Sequence, residues 1–184
     1  MIASDSAFKK AIYEALCACL SLSPSSTDAR AMIREAYNEP ENSPRPARTV
    51  NVVYWSLIPD DDIADPASYS AVAGEQSGTQ KVSVYRPLAY QLQVVCYGSN
   101  CEENAHKIRS FIYLDGNGFP RCILRKAGIY PVPGPSKPVF MYESEGSLWR
   151  RRMDLSIQLT VRDQAEYPNA RGTIQVRPTV IIKR

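Results

Sequence analysis

One histidine, five cysteines and a run of three aspartates are the residues of this chain most able to do chemistry, and none of them completes a site. Nucleophilic catalysis of the Ser/His/Asp or Cys/His kind would have to use His106 as its base. That residue falls mid-helix, off the apolar stripe of Cys101, Ala105 and Ile108, which predicts a solvent-facing side chain. Cys17, Cys19, Cys96, Cys101 and Cys122 contain no Cys-x-x-Cys pair, and a single histidine leaves little to finish a zinc site. They read as small buried apolar residues in a reducing compartment. Asp60-Asp61-Asp62 with Asp65 has no spaced partners and reads as a solvated acidic turn. Asp115-Gly116-Asn117-Gly118 resembles the opening of a calcium loop. Phe119, however, stands where the third ligand belongs, and no glutamate closes the twelve-residue frame. Neither a Gly-x-x-x-x-Gly-Lys-Ser/Thr loop nor a Gly-x-Gly-x-x-Gly loop occurs. The expectation is a protein with no cofactor, no metal and no enzymatic activity.

Arginine is the remaining chemical signal. Arg150-Arg151-Arg152, with Arg86, Arg121, Arg125 and Lys126 elsewhere, could hold phosphate backbones. Strand alternation sends Arg150 and Arg152 to one face and Arg151 to the other, which argues against one continuous basic patch. The net charge of +3 is mild for a nucleic-acid partner. With 184 residues, 44% apolar and 22% charged, the chain suits one globular domain that buries roughly two-thirds of its unfolded surface. No stretch approaches the ~18 apolar residues of a membrane span, and residues 1–10 lack the pattern of a signal peptide.

The elements that would position these residues follow from hydrophobic period. Phe8, Ile12, Ala15, Leu16, Cys19 and Leu20 predict a first helix from Ser4 or Ser6 to Leu20. Hydroxyls in 21–26 cap a second helix that carries Ala29, Met32, Ile33, Ala36 and Tyr37 and ends at Asn38-Glu39-Pro40. After a Pro-rich spacer over 40–48, residues 49–58 form a strand apolar on both sides and hence central. Residues 59–80 read as a long acidic loop. Residues 81–97 form a long strand in which Pro87 sends 82–86 to a bend or an edge. Ser99-Asn100-Cys101-Glu102 reads as a capping box opening a helix to about Leu114, with Cys101, Ala105, Ile108, Phe111 and Ile112 buried. Residues 128–135 predict a stiff crossing outside the ladder, 139–143 a short strand, and Glu145-Gly146-Ser147 a hairpin turn. From Trp149 to Val161 the odd positions are greasy except Arg151, and the even ones are wet. A loop over 164–171 and a last strand with Pro178 at an edge complete the chain. The fold class is α+β: a mainly antiparallel sheet with helices packed on one side, as a single domain over 1–184. Its parts are a helical region (1–40), the acidic loop (59–80) and a sheet-and-helix core (81–184).

Certain stretches resemble a known family. These are Tyr90-Gln-Leu-Gln-Val-Val-Cys-Tyr-Gly-Ser-Asn-Cys-Glu-Glu-Asn-Ala, then Gly128-Ile-Tyr-Pro-Val-Pro-Gly-Pro, then residues 145–154 and the strand 155–162. Over residues 50–163 the chain resembles the tail-terminator (neck, or tail-completion) proteins of tailed bacteriophages. The resemblance carries patterns of strand, Gly-turn and helix, and no catalytic residue. It implies a structural virion protein in the tail or neck, assembled in the host bacterial cytoplasm. Such a subunit forms a ring, commonly six-fold, and meets the tail tube protein, the head-tail connector or adaptor and, in a contractile tail, the sheath. DNA passes through without being specifically bound, and no membrane is involved. The alternatives are a nucleic-acid-binding module or another ring protein of the connector. Complementary charge suggests an interface made by Trp149, Arg150 and Arg152 with Asp60, Asp61, Asp62, Tyr85 and Arg86, and Trp55 as a further aromatic anchor.

Overall fold

The computed structural model describes residues 5–36, 46–60, 70–74, 81–134, 136–145 and 148–167. Helix α1 (Asp5–Cys19) turns its greasy stripe inward, with Ile12, Ala15, Leu16, Cys17 and Cys19 almost completely buried. Helix α2 (Thr27–Met32) is capped by Ser26, whose Oγ accepts from the Ala29 N–H at 3.1 Å. It stops earlier than its helical period suggests. Ile33–Glu35 leave the helix as strand β1, parallel to Val53–Trp55 of β2 (Val52–Pro59). The β-branched Ile33 is 3% exposed against the core, and Ala36 continues the pairing by donating to the Trp55 carbonyl at 2.8 Å. Burial and a ready sheet edge outweigh the weak helical preference of six residues.

Two long strands form the middle of the sheet. β4 (Lys81–Tyr97) and β7 (Leu148–Tyr167) run antiparallel from Val82↔Tyr167 to Tyr97↔Arg152. At about 3.3 Å per residue each exceeds 50 Å. β3 (Ser70–Gly74) lies inside the span read as loop and pairs with Lys81–Tyr85. β2 pairs with β4 from Tyr90 to Tyr97. Pro87 therefore falls in the gap between β3 and β2, where β4 needs no donor on that side. The strand runs through it unbroken, and residues 82–85 lie between two neighbours rather than at an edge, while Arg86 shares the gap with Pro87 and pairs with β7. On the far side of β7, β5 (Ile129–Pro131) pairs with Leu159–Val161 and β6 (Val139–Glu145) with Leu148–Asp154. The crossing at 128–135 thus does enter the ladder, for three residues. β7 also continues to Tyr167, through the start of the expected loop. Among the described residues seven strands form one mostly antiparallel sheet, so the α+β class holds.

The helices sit on one face. α3 (Cys101–Phe111) and α4 (Pro120–Lys126, a short helix with proline in its first turn) join α1 over Leu92, Val94 and Cys96 of β4 and Met153, Leu155, Ile157, Leu159 and Val161 of β7. Val53 and Trp55 complete that layer. Trp55 is 4% exposed, so it is core and offers no anchor to a partner. The opposite face carries Gln91, Gln93, Ser156, Gln158 and Thr160 and stays half-exposed or open, as an antiparallel sheet allows. Cys101, Ala105, Ile108 and Ile112 form the buried stripe of α3 as expected, but Phe111 is 38% exposed. The capping box is not formed. The N-cap is Asn100, with no side-chain bond to the helix, and the Ser99 hydroxyl turns to Asn100 Oδ1. The turn is anchored instead by Asn51, whose Oδ1 accepts the Asn100 N–H at 2.9 Å.

Candidate functional site

His106 is exposed on α3. All five cysteines are buried as free thiols, and burial pushes Cys19 and Cys96 up to about 12, which suppresses the nucleophilic thiolate. Among the described residues no group of His, Cys, Asp and Glu is placed to hold a metal ion. No helix among them is long and apolar enough to cross a membrane. A cavity of about 370 Å³ on the polar sheet face is lined by Gln93, Val95, Ser136, Lys137, Asp154 and Ser156. Its hydroxyls and its carboxylate have no imidazole or thiolate beside them.

What the fold concentrates instead is a charged and aromatic cluster on the β6–β7 hairpin. On the polar face, Arg150 is 7% exposed and lays its guanidinium 4.4 Å over the Tyr97 ring, and Tyr54 meets the same ring edge-on at 6.0 Å. Tyr97 donates its hydroxyl to Glu143 Oε2 at 2.5 Å. Arg152 reaches Glu143 at 3.6 Å and grips Asp154 with two bonds of 2.5 and 2.7 Å. Those bonds raise the guanidinium pKa further and hold Arg152 charged. On the helix-side face, Arg151 lies 5.4 Å over Phe140 and 3.9 Å from Glu102. Phe140 meets Tyr142 edge-on at 4.8 Å. Trp149 and Tyr142 stand 68% and 63% exposed. The approach to β6 is fixed by Arg109, which donates to the Ser136 and Gly134 carbonyls at 2.7 and 3.2 Å.

The alternation of the three arginines is as the sequence implies, but each has a partner within the chain. Together they make no continuous exposed basic stripe among the described residues. Asp60 sits at the other end of β2, its N–H bonded to the Ala89 carbonyl at 3.0 Å. Ala89 and Tyr97 are eight positions apart on β4, so Asp60 lies roughly 26 Å from the arginine cluster. Asp61 and Asp62 fall outside the described residues. Tyr85 and Arg86 lie on β4 opposite Gln164 and Asp163, and their side chains are not described. Tyr97, Glu143, Phe140 and Tyr142 were not singled out from sequence. The signal available was the run Val139-Phe140-Met141-Tyr142, apolar on both sides immediately before a turn.

Burial, and then the bond to Glu143, push the Tyr97 phenol up to about 12. An unfolded tyrosine titrates near about 10, so the fold holds this proton more tightly than the unfolded chain does. The stability contributed is full below about pH 10 and falls as pH rises through about 12. Tyr97→Phe removes this slope. The loss of urea midpoint between about pH 9 and about pH 11.5 should be smaller in the variant, with Cys19 and Cys96 common to both proteins. Equal losses would show that Tyr97 is not the linked group.

No curated protein matches the chain. A family model described as phage neck terminator protein matches residues 6–182, which takes in both central strands and every described helix but the first residue of α1. The α+β architecture and this near-complete match agree, and the chain belongs to the phage neck terminator protein family, with a structural role in the tail and neck.

Proposed function

We propose that the chain is a ring-forming subunit, six copies around the tail axis, that caps the tail tube and joins it to the head-tail connector. The observation that carries this reading is the family match over residues 6–182. The subunit acts by contact and turns over no small molecule. Its neighbours are copies of itself, the tail tube protein, the connector or adaptor and, in a contractile tail, the sheath. DNA passes through without specific binding, in keeping with three hairpin arginines that are engaged by Tyr97, Glu143, Asp154, Glu102 and Phe140. Assembly takes place in the host bacterial cytoplasm, and the product resides in the virion neck.

Of the residues expected at an interface, Trp149 is the most available, and Tyr142 and Arg151 beside it share the composition that dominates interface energetics. Arg150 and Arg152 support the platform from behind it. Light scattering of the full chain, alone and with tail tube protein, tests the ring. The expected species has about six times the 20.5 kDa subunit mass, and a monomer under both conditions rejects it. Trp149→Ala should weaken subunit association by ~30-fold, the equivalent of an anchor worth about 2 kcal/mol. Unchanged mass across a dilution series would remove Trp149 from the interface.

A further inference from the structure

β7 lacks a neighbour along part of one side. β6 follows it only as far as Asp154, and β5 meets it again at Leu159, with Val132 donating to the Gln158 carbonyl at 2.9 Å. Among the described residues no strand takes Leu155 to Ile157 on that side. The cavity of about 370 Å³ lies at this gap. Ser136, Lys137 and Val139, which lead into β6, form one wall, and Gln93, Asp154 and Ser156 on the central strands form the other. Arg109 braces the first wall by donating to the Ser136 carbonyl at 2.7 Å. A volume of this size is within the range of small-ligand sites.

The polar groups around the cavity are unevenly satisfied. Asp154 accepts from Arg152 through both oxygens, at 2.5 and 2.7 Å, so its charge is already answered. Lys137 is exposed and forms no ion pair among the described residues. Ser156 Oγ is buried without a hydrogen-bond partner, a cost to the free protein that an occupant can relieve. Rotation about its single side-chain bond turns that hydroxyl toward the cavity. Gln93 spends one amide N–H on a long 3.5 Å bond to Gln91 and keeps a second donor. An unanswered ammonium beside a hydroxyl and an amide selects one negative charge spread over acceptor oxygens. A carboxylate supplies this, with two oxygens and about four lone-pair sites. A phosphate would bring further charge that one ammonium leaves unanswered. Val95 and Val139 add apolar wall, which suits an aliphatic stem behind the carboxylate.

We propose that this cavity binds a carboxylate on a short aliphatic stem, through Lys137, Ser156 and Gln93. The site goes beyond the ring reading and does not need it. The test is saturation-transfer NMR on the full chain, with butyrate as the probe and n-butanol as the uncharged control, at fixed ionic strength. Saturable transfer to butyrate and far weaker transfer to butanol are expected. Lys137→Gln should weaken butyrate by about tenfold, the loss of one charge-assisted bond, whereas Lys126→Gln on α4 should leave it unchanged. Ser156→Ala should weaken it severalfold without lowering the melting temperature, since it deletes a group that has no partner. Transfer that does not saturate, equal transfer to both probes, or equal effects of the two lysine variants would overturn the site. A glutamate side chain on a neighbouring protein and a free aliphatic acid share this chemistry. Light scattering of the Lys137→Gln variant separates them. Weaker association than the parent assigns the occupant to a protein side chain, and unchanged association with butyrate binding lost assigns it to a free acid.

Discussion

Replacing Ile157 with alanine is expected to destabilise the fold by about 2–5 kcal/mol, which lowers the melting temperature by roughly 5–15 °C for a chain of this size. Ile157 lies near the middle of β7, is 0% exposed, and stands opposite Leu92, itself 1% exposed. It points at the helix layer, where Leu16 and Ile108 are likewise fully buried. The lost methyl groups would leave a cavity in the fully buried layer between two long paired strands and the helices, and such walls collapse poorly. Thermal unfolding followed by circular dichroism reads the effect. Gln158→Ala, one residue on but exposed on the polar face, is the control and should stay within about 0.5 kcal/mol. Similar shifts for both variants would mean that the helix-covered face is not the core.

Gly98→Ala is expected to cost about 2–4 kcal/mol through backbone strain and close contact together. Gly98 turns β4 into α3 with φ +101°, a conformation that side chains resist. A Cβ there would lie 2.5 Å from Asn51 Oδ1, 2.7 Å from the Val50 carbonyl oxygen and 2.8 Å from Asn51 Cα. Two of those atoms belong to the backbone and cannot swing aside. The third is the oxygen that accepts the Asn100 N–H, so moving it breaks the anchor of the turn. Gly118→Ala separates the two contributions. Gly118 has φ +83° but open space around it, so strain alone applies there, at about 1 kcal/mol. Denaturant unfolding of the pair checks this, and equal midpoints for the two variants would remove the packing contribution at Gly98.

The hairpin cluster shows how the two levels of description divide. That Arg150 and Arg152 share a face while Arg151 takes the other was legible, because a strand alternates by geometry alone. That Arg150 is buried over Tyr97 was not. The two residues are 53 positions apart, and their meeting depends on β4 and β7 pairing in one register out of many. Trp55 fails in the opposite direction. A strand apolar on both sides does not say which side the helices will cover, so an aromatic read as a possible anchor became core.

Local period therefore set the greasy stripes of α1 and α3, the two-faced character of β7, the α+β class and the family pattern. The repeats of 3.6 and 2 residues need no knowledge of partners. Folding chose the rest: β1 from what looked like helix, β3 and β5 from what looked like loop, and the Asn51 anchor in place of a capping box. These are short segments whose own preferences amount to tenths of a kcal/mol per residue. A waiting sheet edge or a buried pocket, worth several times that, settles them only after distant strands have met.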